Sequence, residues 1–186
     1  MLTLPLLLAV ETPNLVLREM RAGDGADLAC FMTQPRYQRF IVHRLKNDDE
    51  VNSFVARQVA VQGDARRHIF HLAAEERYSG EVVGDGFLIV HGNKSVEVGW
   101  GLHPALWQVG FGTEIGRALV GLGFERLKAE KVWCKVMRPN LASAKLAGRI
   151  GMEKAETHEF YPAGQGRFEK VDVFALDQDR YFNLPY

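Results

Sequence analysis

The stretch Ser95-Val96-Glu97-Val98-Gly99-Trp100-Gly101-Leu102, followed by HPALWQVGFGTEIGRALVGLGFERLKAEK (103–131), decides the architecture. Val96, Val98, Trp100 and Leu102 alternate with Glu97, Gly99 and Gly101, so one face of a strand is apolar and the other nearly bare. Ile115, Ala118, Leu119 and Leu122 then recur at helical spacing, and Arg126 and Lys128 suit the negative end of that helix. The segment reads strand, glycine loop, helix, and VWCKVM (132–137) is the next short strand. Strands and helices in this alternation indicate an α/β domain.

Working upstream, an apolar stretch ends at Leu15, Val16 and Leu17, and Asp24 stands as a helix cap before Leu28, Phe31 and Met32. A second helix begins at Asp48 or Asp49, with Val51, Phe54, Val55 and Val59 on one stripe, and the arginine-rich RYQRFIVHR (36–44) links the two. HIFHLAAEE (68–76) and EVVGDGFLIV (81–90) are strands separated by the hairpin-length turn RYSG. Downstream, Pro139 and Asn140 open a helix carrying Leu141, Ala144, Ala147 and Ile150, which Gly151 ends. Residues 152–177 read as two more strands around PAGQG, and no repeat or linker divides the chain. A single domain over residues 1–186 is expected.

Composition excludes several classes of function. In 186 residues, 23 Lys and Arg balance 23 Asp and Glu, so no global charge draws the chain to nucleic acid or to an anionic membrane. A chain of this length buries enough apolar surface to need no disulfide or structural metal. The opening MLTLPLLLAV has no Lys or Arg ahead of its apolar run and is followed by Glu11, unlike a secretory leader, and it is far too short to span a bilayer. The expected location is the cytoplasm. His68 and His71, the nearest approach to a ligand pair, point to opposite faces of a strand, so no metal is expected. Cys30 and Cys134 lie far apart and read as buried thiols; Cys134 shares a face with Val132 and Val136, which makes it core rather than nucleophile.

Gly110-Phe111-Gly112-Thr113 lies where a strand passes into a helix, so unpaired N–H groups of the first turn face outward with the positive end of the dipole behind them. Glycine there lets a phosphate approach the backbone, although a tight turn alone also accounts for it. A dinucleotide fingerprint needs its third glycine one residue before Gly116, and no Gly-Lys-Ser/Thr follows, so nicotinamide and nucleoside triphosphate readings both weaken.

The loop resembles the acyl-coenzyme A loop of the GNAT acetyltransferases, with Gly110 and Gly112 as its glycines and Trp107 where Gln or Arg is usual. Trp107-Gln108-Val109-Gly110-Phe111-Gly112-Thr113-Glu114 is most similar to the Rim-type ribosomal-protein N-acetyltransferases. Leu15-Val16-Leu17-Arg18 with Asp24, Glu97-Val98-Gly99-Trp100, Asn140-Leu141-Ala142-Ser143 and Gly151-Met152-Glu153 follow in that branch's order. The resemblance spans nearly the whole chain. It implies an α/β GNAT fold, a central mixed, mostly antiparallel sheet of about seven strands flanked by about four helices.

It also implies transfer of an acetyl group from acetyl-coenzyme A to a primary amine by direct attack in a ternary complex. Leu102, Gln108, Val109, Gly110, Phe111, Gly112, Thr113 and Asn140 are then the coenzyme A contacts, with backbone donors carrying more because Val109 replaces a residue that is often basic. Glu97 is the candidate base, beside the room that Gly99 and Gly101 leave for cofactor and acceptor, and an exposed strand carboxylate is the alternative. Asn140 is a good helix cap whatever else it does. Ser143 stands in the first helical turn, where its hydroxyl could reach the departing sulfur. Many GNAT enzymes place a Tyr four residues later, but here that position is Ala147.

The acceptor should lie against Arg36 to Lys46 and His158 to Phe168. Arg36, Arg39, Arg44 and Lys46 form either a solvated loop or a field that favours a peptide or amino-acid-like acceptor over polyamines and aminoglycosides. An α-amine, at ~7.7–8.0, also loses its proton more easily than a lysine at ~10.4. No nucleic-acid or membrane partner is expected, a homodimer stays open, and the rival reading is a non-catalytic module that holds acyl-coenzyme A or a protein partner.

Overall fold

The computed structural model describes residues 9–160 and 169–185. Its centre is an eight-stranded sheet: β1 (Val10–Glu11), β2 (Leu15–Glu19), β3 (Ile69–Glu76), β4 (Val82–His91), β5 (Ser95–Leu102), β6 (Lys131–Met137), β8 (Glu169–Asp177) and β7 (Glu153–Phe160), in that spatial order. Every neighbouring pair is antiparallel except β5 and β6. The extra strand arises because Pro13 and Asn14 turn the chain and split the first apolar stretch into β1 and β2. Short turns join β1 to β2, β3 to β4 and β4 to β5, and residues 20–68 join β2 to β3, whereas the parallel pair β5–β6 requires a crossover, and α4 (Phe111–Gly121) makes it.

The helices lie on both faces. On one, Ile115, Ala118 and Leu119 of α4, with Leu122 just beyond it, pack on Leu15, Leu17, Leu88, Val96 and Val98, and α5 (Leu141–Arg149) adds Leu146 and Ala147. On the other, α1 (Gly25–Met32) and α3 (Asp48–Val61) bury Leu28, Phe31, Met32, Val51 and Val55 against Met20, Ala73 and Val82. Two short helices complete the set, α2 (Pro35–Gln38) inside the arginine-rich link and α6 (Gln178–Phe182) after β8.

Three expectations are corrected. Asp24 does not cap α1: its carboxylate receives two hydrogen bonds of 2.8 Å from the Arg18 guanidinium and one from the Arg21 N–H. Cys30 is exposed, because it sits on the solvent side of α1; Cys134 is buried as expected, and burial with the nearby Glu97 charge pushes its thiol up to about 12. Leu141 is exposed rather than on the buried stripe, since the first turn of α5 projects past the sheet. Asn140 caps α5 as expected, accepting from the Ser143 N–H.

Arg18 also donates to Glu75 at 2.6 Å, so one buried guanidinium ties β2 to β3 and to the entry of α1. Removing it leaves the buried Asp24 carboxylate without its cation and Glu75 with only Arg21 at 3.5 Å, and breaking such a cluster typically costs about 3–5 kcal/mol. Arg18→Met is therefore expected to lower unfolding stability by about 3 kcal/mol in urea titration; a loss below about 1 kcal/mol would show that the cluster is no more than a surface ion pair.

Candidate active site

β5 and β6 pair only at Ser95 with Lys131, Val96 with Val132 and Glu97 with Trp133. Beyond that point β5 stays with β4 as far as Leu102, and β6 stays with β8 as far as Met137. The facing edges of Val98–Leu102 and Cys134–Met137 are thus unpaired in the middle of the sheet, at the carboxyl ends of two parallel strands. Open α/β sheets hold ligands in such crevices, and an extended molecule bearing amides can use the free edge as a strand would.

The glycine loop stands at the mouth of this opening. Gln108 at φ 74° and Gly110 at φ 103° are both left-handed, and their turns leave the N–H groups of Val109, Gly110, Phe111 and Gly112 without an acceptor among the described residues. Successive N–H groups in such a turn form an anion-binding concavity at the positive end of α4. Gly110 is required by its φ, for a Cβ there would meet nothing within 4 Å. Gly112 has a different reason: a Cβ would lie 3.0 Å from Leu146 Cδ1, so part of its role is to seat α5 against α4. The second turn of α5 therefore packs against the start of α4, with Asn140 and the half-buried Ser143 at the N-terminal end of α5.

Trp107 pins the loop, its Nε1 donating to the Leu102 carbonyl at 2.9 Å while the Arg36 guanidinium covers the ring at 4.6 Å. Glu114 in the first turn of α4 accepts from Thr12 Oγ1, Asn14 N and Asn14 Nδ2, which fastens the β1–β2 turn to the helix. Gln108 and Val109 are exposed, and Phe111 and Thr113 are half-buried.

Glu97 is nearly buried at the point where the strands part. Lys135 Nζ lies 3.3 Å from Oε1 and His91 Nε2 3.6 Å from Oε2. The bare face beside it is not empty, which corrects the expectation of free room there. Phe87 of β4 covers Gly99, where a Cβ would meet its ring at 2.3 Å, and Tyr37 and Asp85 cover Gly101. Phe87 and Asp85 escaped the sequence reading, whereas Tyr37 lies within the Arg36–Lys46 segment expected to meet the acceptor. The hairpin register that sets Phe87 opposite Gly99 and Asp85 opposite Gly101 is what could have found them.

Tyr37 donates to Asp85 Oδ1 at 2.7 Å; desolvation lifts the Asp85 carboxyl to about 6 and, with the neighbouring Asp85 charge, raises the Tyr37 phenol well above its usual range. Burial lowers His71, which packs between Phe54 and Phe87, to about 4. The basic segment is dispersed: Arg36 turns to Trp107, Arg39 lies over Phe40, and Arg44 Nε reaches the Ile41 carbonyl. PAGQG and most of the 158–168 segment fall outside the described residues. Among those residues no three His, Cys, Asp or Glu side chains gather as a metal site, and no helix is long and apolar enough to cross a membrane.

A parallel pair that opens toward a glycine-bearing helix N-terminus defines an α/β protein with a crevice suited to an anion-bearing ligand. Residues 14–153 match the family model of the GNAT acetyltransferase domain, and the chain belongs to that family. It is an acyltransferase. A curated relative, the uncharacterized N-acetyltransferase YoaA of Bacillus subtilis, is 24% identical over 174 residues, covering 92% of this chain and 97% of the relative. Among solved structures, the ribosomal-protein-S5-alanine acetyltransferase of Vibrio fischeri superposes with a TM-score of 0.78 at 13% identity, covering 94% of this chain and 98% of that one. The spermidine N-acetyltransferase of Vibrio cholerae, in complex with CoA and spermine, gives 0.77 at 16% identity over 92% and 100%.

His71 supplies a pH test of this face. Its folded value lies below that of the unfolded chain, about 6.5, so its neutral form stabilises the fold above that pH. The contribution is lost as pH falls toward about 4. An NMR titration of the His71 ring is expected to show a midpoint near about 4; a midpoint at about 6.5 would mean the ring is solvated.

Proposed function

We propose that the chain is an acetyl-coenzyme A-dependent N-acetyltransferase that acetylates a primary amine by direct attack in a ternary complex. The acceptor is a peptide or protein N-terminal α-amine or a small amino-acid-like amine. The observation that carries this reading is the opening between β5 and β6 leading directly to the free N–H groups of Val109–Gly112. Acetyl-coenzyme A supplies an activated acyl group as a thioester.

The chain supplies the rest. The N–H groups of the glycine loop meet the pyrophosphate, with Gln108 and Thr113 flanking it, and the free edge ending at Leu102 pairs with the amides of the pantetheine arm. Asn140 serves the same arm while capping α5. Glu97 takes the amine's proton, either directly or through water, at the depth where the acyl end would come to rest. Ser143 gives a proton to the leaving thiolate in place of the Tyr that Ala147 excludes, for Ala147 is fully buried and leaves no room there.

The ion pair between Glu97 and Lys135 favours a second reading, a binding module without turnover, since the carboxylate already has a partner and Ala147 stands where many GNAT enzymes have a Tyr. A thiol-release assay over a panel of amines separates the two. Glu97→Gln is expected to lower turnover by about 10²-fold with little change in acetyl-coenzyme A affinity; undiminished turnover would remove Glu97 from the chemistry. Gly110→Val is expected to weaken acetyl-coenzyme A binding by about tenfold or more in calorimetry, because a β-branched residue resists φ 103° and a side chain crowds the phosphate approach. Unchanged affinity would mean that the loop does not hold the cofactor. Spermidine is expected to be a poorer substrate than a peptide α-amine.

A further inference from the structure

The carboxylates with little solvent access are provided for almost everywhere in this molecule: Asp24 and Glu75 by Arg18, Glu19 by Arg67, Glu97 by Lys135, and Glu114 by Thr12 and Asn14. Asp85 is different. It stands mid-strand on β4 between Gly84 and Gly86, opposite Ala73 on one side and Gly101 on the other. Its one partner among the described residues is the Tyr37 hydroxyl at Oδ1, and no cation reaches it. Oδ2 is left without a hydrogen bond among those residues, yet the residue keeps partial solvent access. A poorly solvated carboxylate with one neutral donor is costly to keep unless something else comes to it.

The surroundings indicate what comes. Phe87 lies over Gly99 on the same face, His71 follows at 5.8 Å between ring centres, and Phe54 meets His71 edge-on at 5.1 Å. On the other flank Phe31 meets Tyr37 edge-on at 5.2 Å. Tyr37, Phe54, His71 and Phe87 are all only half-buried, so their rings form the surface of this face rather than its core. Arg36, next to Tyr37 in sequence, points away to Trp107. One open carboxylate oxygen on a sheet face that also presents half-buried aromatic rings is the chemistry that recognises an ammonium group.

We propose that Asp85 anchors the ammonium of the acceptor, and that the aromatic wall selects an amine borne next to an aromatic or apolar group. The proposal rests on the N-acetyltransferase reading and gives that site its acceptor class. Gly99 and Gly101 belong to the part of β5 that has left β6, so an amine held on Asp85 lies about one strand spacing, roughly 4.8 Å, from the edge of the opening. It also lies four residues along the strand from Glu97, to which its proton then passes through water rather than directly. A single carboxylate suits a single ammonium. The further charges of a polyamine would find no second unpaired carboxylate beside Asp85 among the described residues and would meet the arginine-bearing segment around α2.

The test is calorimetry of 2-phenylethylamine and of spermidine on the protein saturated with coenzyme A, with thiol release from acetyl-coenzyme A measured in parallel. The wild-type chain is expected to bind 2-phenylethylamine about tenfold or more tightly than spermidine, and Asp85→Asn to weaken 2-phenylethylamine by about tenfold while acetyl-coenzyme A affinity is kept. Equal binding by Asp85→Asn, or spermidine bound as tightly as 2-phenylethylamine, would overturn the proposal. Should Asp85→Asn lose acetyl-coenzyme A affinity through misfolding, Phe87→Leu decides: it is expected to weaken 2-phenylethylamine several-fold more than methylamine, and an equal effect on both would overturn the aromatic wall. Asp85-dependent binding without thiol release would leave the amine site standing and remove the transferase reading. Turnover of other amines with Asp85→Asn unimpaired would do the reverse.

Discussion

The lateral pairing of β5 with β6 ends at Glu97 and Trp133, and the rest of the site is arranged around that early end. Neither strand is loose, because β5 is held along its length by β4 and β6 by β8. The sheet therefore stays continuous at one end and opens at the other, exposing backbone groups that a sheet interior would normally satisfy. The crossover helix α4 has to start where β5 has swung away, so its positive end faces the opening. Fold and binding chemistry come from one constraint: a parallel pair that is kept short.

Keeping the pair open requires rigid surroundings. Glu114 fastens the N-terminal hairpin to the first turn of α4, and Trp107 ties the loop back to the end of β5. Gly112 and Gly116 bring α5 close enough for Leu146 to fill the space beside both glycines. On the opposite face Arg18 secures the entry to α1, which with α2 and α3 roofs the strands bearing Asp85 and Phe87. The two faces of the sheet thus carry separate cores, one under α4 and α5 and the other under α1 and α3.

Much of this was legible in the sequence, for physical reasons. Alternation in Ser95–Leu102 and the helical stripe from Ile115 to Leu122 follow directly from burial on one face, so these elements emerge at nearly their observed bounds. Asn140 is a cap because its side chain suits that position, and it is one here. What stayed hidden depends on partners distant in sequence. Asp24 looks like a cap until Arg18 is folded against it. Gly99 and Gly101 look like empty space until the hairpin brings Phe87 and Asp85 over them and α2 adds Tyr37. The arginines around α2 read as one basic patch, whereas each side chain takes a different partner. The position of the glycine loop at the start of a helix was visible; the division of labour among Gly110, Gly112 and Gly116 was not.

Amide hydrogen exchange with and without coenzyme A tests the central claim most directly, since it reads the backbone groups on which the opening depends. Slowed exchange concentrated in Val98–Leu102 and Val109–Gly112 is the expected result. Coenzyme A binding that leaves both segments unchanged, with protection confined to the face formed by α1 and α3, would contradict the account.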